Sequence, residues 1–191
     1  MVNRYDIKER IGLLIYPFFI CLLSTQVNAQ SAYTALLDLS FDQSRAISDS
    51  KSKKGLHDLY VEHLTDCAQL ILAGNEALYE TFTTRFEERI KAVESFPEEA
   101  TKGFYSAEIR LQWAFVATKY QDQWTAFWSL RKAKLGIEEN RAQYPGFHLN
   151  SRTLGLMQVV LDLIPENRQW MLSLFGMRGD FQAGYQQLKA H

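Results

Sequence analysis

Beyond Gln30, apolar side chains recur at three- and four-residue spacing in almost every window, and strand-like alternation is nearly absent. The pattern predicts an all-α protein. A first helix is expected from Ser31 to Ser50, with Leu36, Leu37, Leu39, Phe41 and Ala46 as its apolar content, before the polar run Ser48 to Gly55. A second, Leu56 to Ala73, sets Leu56, Leu59, Tyr60, His63, Leu64, Cys67, Leu70 and Ile71 on one face. Gly74-Asn75 supplies a stop and a cap. A third helix follows from Glu76 to Ser95, with Phe82, Phe86, Ile90 and Val93 in its stripe. Its other face, Glu80, Arg85, Glu87, Glu88, Arg89 and Lys91, reads as a solvated surface with weak ion pairs.

The segment Thr101 to Tyr120 is apolar on most of its circumference. Phe104, Ala107, Leu111 and Ala114 form one stripe, and Tyr105, Ile109, Trp113 and Val116 a second, so this helix is expected at the centre of the domain. Gln121-Asp122-Gln123 turns into a helix from Trp124 to Asn140, and a connection this short joins antiparallel neighbours. Trp124, Ala126, Phe127, Leu130, Ala133 and Ile137 are its expected inner residues. Asn150 or Ser151 is expected to cap a helix carrying Leu154, Met157 and Leu161 that Pro165 closes. A shorter helix, Asn167 to Phe175, is expected with Trp170, Met171 and Leu174 facing inward. Asp180 can cap a last helix whose stripe of Phe181, Tyr185 and Leu188 either closes onto an earlier helix or continues into a longer array.

The first 29 residues follow another pattern. Arg4, Lys8 and Arg10 precede an apolar run from Ile11 to Leu23, and Val27 and Ala29 end a polar stretch as small residues at a cleavage site. This is the layout of a secretory signal peptide, with cleavage expected before Gln30. A run of that length covers roughly 20 Å as a helix, short of the ~30 Å hydrocarbon core. The expected organisation is a signal peptide, 1–29, followed by one helical-repeat-like domain, 30–191, in the periplasm or another extracytoplasmic space. Cys21 follows Ile20 rather than a small residue, which argues against lipidation, and Cys67 is left as the single cysteine of the domain. An intrachain disulfide is excluded there, and stability must come from packing.

Composition adds little to this picture and weakens the case for two partner classes. With 47% hydrophobic and 13% aromatic residues the chain is of the folded kind. Loss of Arg4, Lys8, Arg10, Asp6 and Glu9 with the signal segment moves the formal net charge from −1 to −2. No basic cluster marks the chain for nucleic acid, and an anionic membrane gains no support from charge.

The helix pair from Phe104 to Asn140 resembles a tetratricopeptide unit. With Ala126 as the small residue of the second helix, Leu130 and Ala133 fall four and seven positions on and Ala114 twelve before. Ala117 stands where that family favours tyrosine, and Glu138 where it favours proline. The segment Gly155 to Leu188, with its Leu174-Phe175-Gly176 and Gly179-Asp180, resembles the region between repeats in the eukaryotic tetratricopeptide family that includes the inclusion-body-clearance protein. The stretch Glu108 to Phe115 is similar to exported bacterial helical-repeat proteins of unassigned function. The resemblance implies antiparallel helix pairs stacked as a short array that acts as an interaction scaffold, with lipid and inclusion handling in the eukaryotic relatives.

Candidate chemistry is sparse. The histidines His57, His63, His148 and His191 show no zinc-helix spacing, and no nucleophile elbow, phosphate loop or dinucleotide fingerprint occurs. His63 and Cys67, one turn apart, read as core residues because a metal would need further ligands. Glu108, Arg110 and Gln112 interrupt an otherwise apolar helix, so Arg110 either makes a buried structural ion pair or points into a groove that binds something acidic. Arg110, Trp113, Trp124 and Trp128 are the candidate groove residues. The sequence thus points to a non-enzymatic protein-interaction module without metal or cofactor. A carrier of a small apolar or lipid-like ligand among the aromatics of Phe104 to Trp128 is the alternative, and peripheral membrane association stays open.

Overall fold

A computed structural model describes residues 30–164, 172–173 and 176–190, and among these it contains eight α-helices and no strand. They are α1 (Gln30–Leu37), α2 (Phe41–Asp49), α3 (Leu56–Ala73), α4 (Glu76–Glu94), α5 (Ala100–Lys119), α6 (Gln123–Gln143), α7 (Leu149–Asp162) and α8 (Phe181–Lys189). Local chemistry sets several boundaries. Gly74 ends α3 in the left-handed region at φ 65°, and the Asn75 side chain accepts from the backbone N–H of Ala77 and Leu78 to begin α4. Asp122 and Asp180 cap α6 and α8 in the same way, through the N–H of Thr125 and Ala183. The predicted signal segment, Pro165 and the predicted helix residues Trp170, Met171 and Leu174 lie outside the described residues.

Each helix packs on its neighbour in the chain, and α1 also packs on α3, α3 on α5 and α5 on α7. The odd-numbered helices therefore make one continuous layer. α2, α4 and α6 each bridge two successive members of that layer, and α8 lies on α7. This is helix-pair stacking of the kind an array is built from.

Helix α5 is the centre, and none of its residues is exposed. Phe104, Ala107, Leu111 and Ala114 pack with Phe127, Leu130, Ala133 and Ile137 of α6 and with Leu154 and Met157 of α7. Ile109 joins Tyr60, Val61 and Leu64 of α3 with Ile90 and Val93 of α4. Trp113 and Val116 meet Cys67 and Leu70 of α3 and Phe82 of α4. Each large apolar side chain buried this way contributes about 1.5–3 kcal/mol. A close helix crossing lies at the other end. A Cβ placed on Gly184 of α8 would fall 2.5 Å from the carbonyl oxygen of Gly155 of α7, so two glycines let the backbones touch.

Four sequence expectations are corrected. The single helix Ser31–Ser50 is two helices, broken at Asp38-Leu39-Ser40, where Leu39 adopts φ 57° and is 60% exposed rather than packed. The inner face of α2 is polar: Ser44 and Ser48 are buried and Ala46 is exposed, because the Ser44 hydroxyl donates to the Ala32 carbonyl and pairs with Thr65. Trp124 points outward. Asn150 does not cap α7, which starts after His148. It is buried, and its side-chain oxygen accepts from the Asn140 amide on α6.

Candidate functional site

The four residues expected to line a groove occupy three environments. Trp113 is fully buried, stacked on Phe86 at 4.9 Å and on Tyr79 at 5.5 Å between centroids, so it is a core residue. Arg110 spans α5 and α4, donating to Glu94 at 2.8 Å and to the Ser106 hydroxyl at 2.9 Å, an ion pair as one of its two options expected, but with its Glu94 end exposed rather than buried. Trp124 and Trp128 lie on the outward stripe of α6, 67% and 42% exposed, with Leu135 on the same side. Arg131 sits 5.8 Å from the Trp128 ring. One turn-to-turn stripe of aromatics is thus presented outward, while Trp113 is sealed on the far side of α5.

The polar residues of α5 lead somewhere else. Glu108 is only 1% exposed, and its carboxylate accepts the Thr153 hydroxyl of α7 while its second oxygen has no partner among the described residues. Burial raises its pKa, and Thr153 and the charge of Arg152 pull it back down. Arg152 acts over the same region on Tyr33 of α1 and Tyr60 of α3. Burial, and then the Glu108 charge, push the Tyr60 hydroxyl well above its ordinary range. The Tyr60 ring packs 5.2 Å from Tyr105, whose hydroxyl pairs with His57 Nδ1 at 3.2 Å. Each odd-numbered helix thus gives a polar residue to one connected region: Tyr33, Tyr60, Glu108 and Arg152. The interruption of an apolar helix marks Glu108 in the sequence. Its partners are not marked, since they depend on α3 and α7 flanking α5.

A second polar cluster is structural. Asp66 of α3 is buried and accepts from Arg45 of α2 at 3.1 Å and from Arg85 and Arg89 of α4 at 3.5 and 3.0 Å. Arg89, expected on a solvated face, is buried because Asp66 and His63 receive its two terminal nitrogens. Removing one member of such a pair costs about 3–5 kcal/mol, which makes it a clamp on three helices. Donation from Arg89 leaves His63 Nδ1 as acceptor, so the ring is neutral. Burial, then Arg89, holds its pKa well below the usual value. The Cys67 sulfur lies 3.3 Å from His63 Nε2, and burial pushes its thiol well above the usual range. A nucleophilic pair needs a thiolate and an approach for substrate, and this pair has neither.

Among the described residues no group of three or more His, Cys, Asp or Glu side chains could hold a metal ion, and no helix is long and apolar enough to cross a membrane. The chain matches no protein-family model, no curated protein and no solved structure.

Proposed function

We propose that the chain is an exported, non-enzymatic scaffold of tetratricopeptide-like type that holds a protein partner on its stacked helices. The observation that carries this reading is the continuous layer of α1, α3, α5 and α7 bridged by the even helices, since layers built by stacking pairs present extended surfaces rather than closed active sites. The outward Trp124 and Trp128 support it, because exposed tryptophans are the residues that most often anchor protein interfaces. Export is supported by the charged start, short apolar run and small-residue end of the first 29 residues.

Native mass spectrometry of the protein purified gently from its own cells tests both parts. The reading expects a polypeptide adduct of fixed stoichiometry and a mature chain beginning at Gln30. A retained small molecule in place of a polypeptide would replace the scaffold with a ligand carrier, and an intact Met1 would remove export.

A further inference from the structure

Between the first turn of α7 and the end of α8 lies an open pocket of about 490 Å³, lined by His148, Leu149, Arg152 and Ala190. Its volume is that of a small-molecule site. Arg152 is half-buried there, and among the described residues its guanidinium has neither a hydrogen-bond acceptor nor an ion-pair partner. Other arginines that are buried or half-buried are engaged: Arg45 and Arg89 by Asp66, and Arg110 by Glu94. Arg152 is thus one of four residues lining the pocket, and its guanidinium carries five N–H donors in a fixed plane. The pocket also opens at the positive end of the α7 dipole.

We propose that this pocket is a receptor for an aliphatic carboxylate, bound bidentately by Arg152. The charge balance selects this class of anion. One guanidinium matches one planar monoanion in both charge and fork geometry. A phosphate dianion carries more negative charge than the Arg152 guanidinium alone neutralises, and the Glu108 carboxyl, on which the Arg152 charge acts, opposes any larger negative charge. Leu149 and Ala190 offer apolar wall to a short aliphatic body. The ligand is then a short-chain acid or the same group on a peptide, and the inference holds whether or not the protein also serves as a scaffold.

The test is a titration of the whole mature protein with butyrate, followed by backbone amide NMR shifts, with butyramide and inorganic phosphate as comparisons at matched ionic strength. Saturable shifts at Leu149 to Thr153 with butyrate, and at least about tenfold weaker binding of butyramide and phosphate, are expected. Arg152→Gln should weaken butyrate at least about tenfold with an unchanged circular dichroism spectrum, and Arg152→Lys should recover part of the loss. Lys132→Gln on α6 should change nothing. Equal binding of butyramide, tighter binding of phosphate, or an undiminished response in Arg152→Gln would overturn the proposal. These readouts need no partner protein, so failure of the scaffold reading leaves them intact and their failure leaves the scaffold reading intact.

Discussion

At the scale of the residue, the buried carboxyl of Glu108 is the group whose charge the fold tolerates least. Its pKa is raised above the ordinary 4.5, so the folded protein holds that proton more tightly than the unfolded chain does. The stability it contributes is present in full below pH 4.5 and is lost as pH rises through the raised folded value. Glu108→Gln keeps an oxygen for the Thr153 hydroxyl and removes the titration. The stability of this variant relative to the natural chain should therefore climb with pH from 4.5 upward and then level off, as read by urea unfolding between pH 4 and 8. A flat difference would mean that the carboxyl is not desolvated. His63 works with the opposite sign, its ring being held neutral, so the stability it supplies is lost as pH falls below 6.5. Both proteins carry His63, and its effect cancels in the difference. Cys67 gives an independent check on the same core. Its thiol is fully buried and its pKa is raised, so a thiol reagent should label it only as fast as the domain opens, and urea below the unfolding transition should accelerate labelling. Fast labelling in buffer alone would contradict the packing of α3 against α5.

At the scale of the element, two glycines in helices should respond to alanine in opposite directions. Gly136 of α6 has nothing within 4 Å of an added Cβ, so alanine there should stabilise by about 0.5–1 kcal/mol through helix propensity alone. Gly184 of α8 gains the same propensity, but its Cβ would fall 2.5 Å from the Gly155 carbonyl oxygen and 2.9 Å from a Val159 methyl. Gly184→Ala should therefore be net destabilising by about 1–3 kcal/mol, as overpacked contacts are. Thermal melts of the two variants check the contrast, and a stabilised Gly184→Ala would show that α8 does not sit on α7 at this crossing. The bounds of α3, α4 and α5 are legible in the sequence, because there the apolar stripe runs the length of each helix and Gly74-Asn75 marks the break between α3 and α4. The bounds of α2 are not. Its buried face is Ser44 and Ser48, with the Ser44 hydroxyl hydrogen-bonded to Ala32 and Thr65, and a reading by hydrophobic period passes over such a face. Trp124 fails for the converse reason, since periodicity cannot tell a large apolar residue that packs from one that is presented. The region joining Tyr33, Tyr60, Glu108 and Arg152 was legible only at Glu108, because its other members are brought together by the stacking of odd helices and not by spacing within one.

At the scale of the whole molecule, α5 decides how the array unfolds. Stacked helix pairs need not open together, since each interacts mainly with its neighbours. Here, however, one helix contributes to all three core clusters: Leu111 and Ala114 toward α6 and α7, Ile109 toward α3 and α4, and Trp113 and Val116 toward the aromatic stack with Phe82. The Asp66 clamp extends this coupling to α2 through Arg45. A perturbation on one side of α5 should thus be felt on the other. Ala114→Leu inserts volume where α5 meets α6 and should cost about 1–3 kcal/mol. If α5 couples the halves, native-state hydrogen exchange will show that loss at the amides of Leu64 and Cys67 in α3 as well as at those of Leu130 and Ala133 in α6, with equal reductions in opening free energy. Loss confined to α6 and α7 would show instead that the array opens pair by pair, with α5 able to leave α6 while still packed on α3.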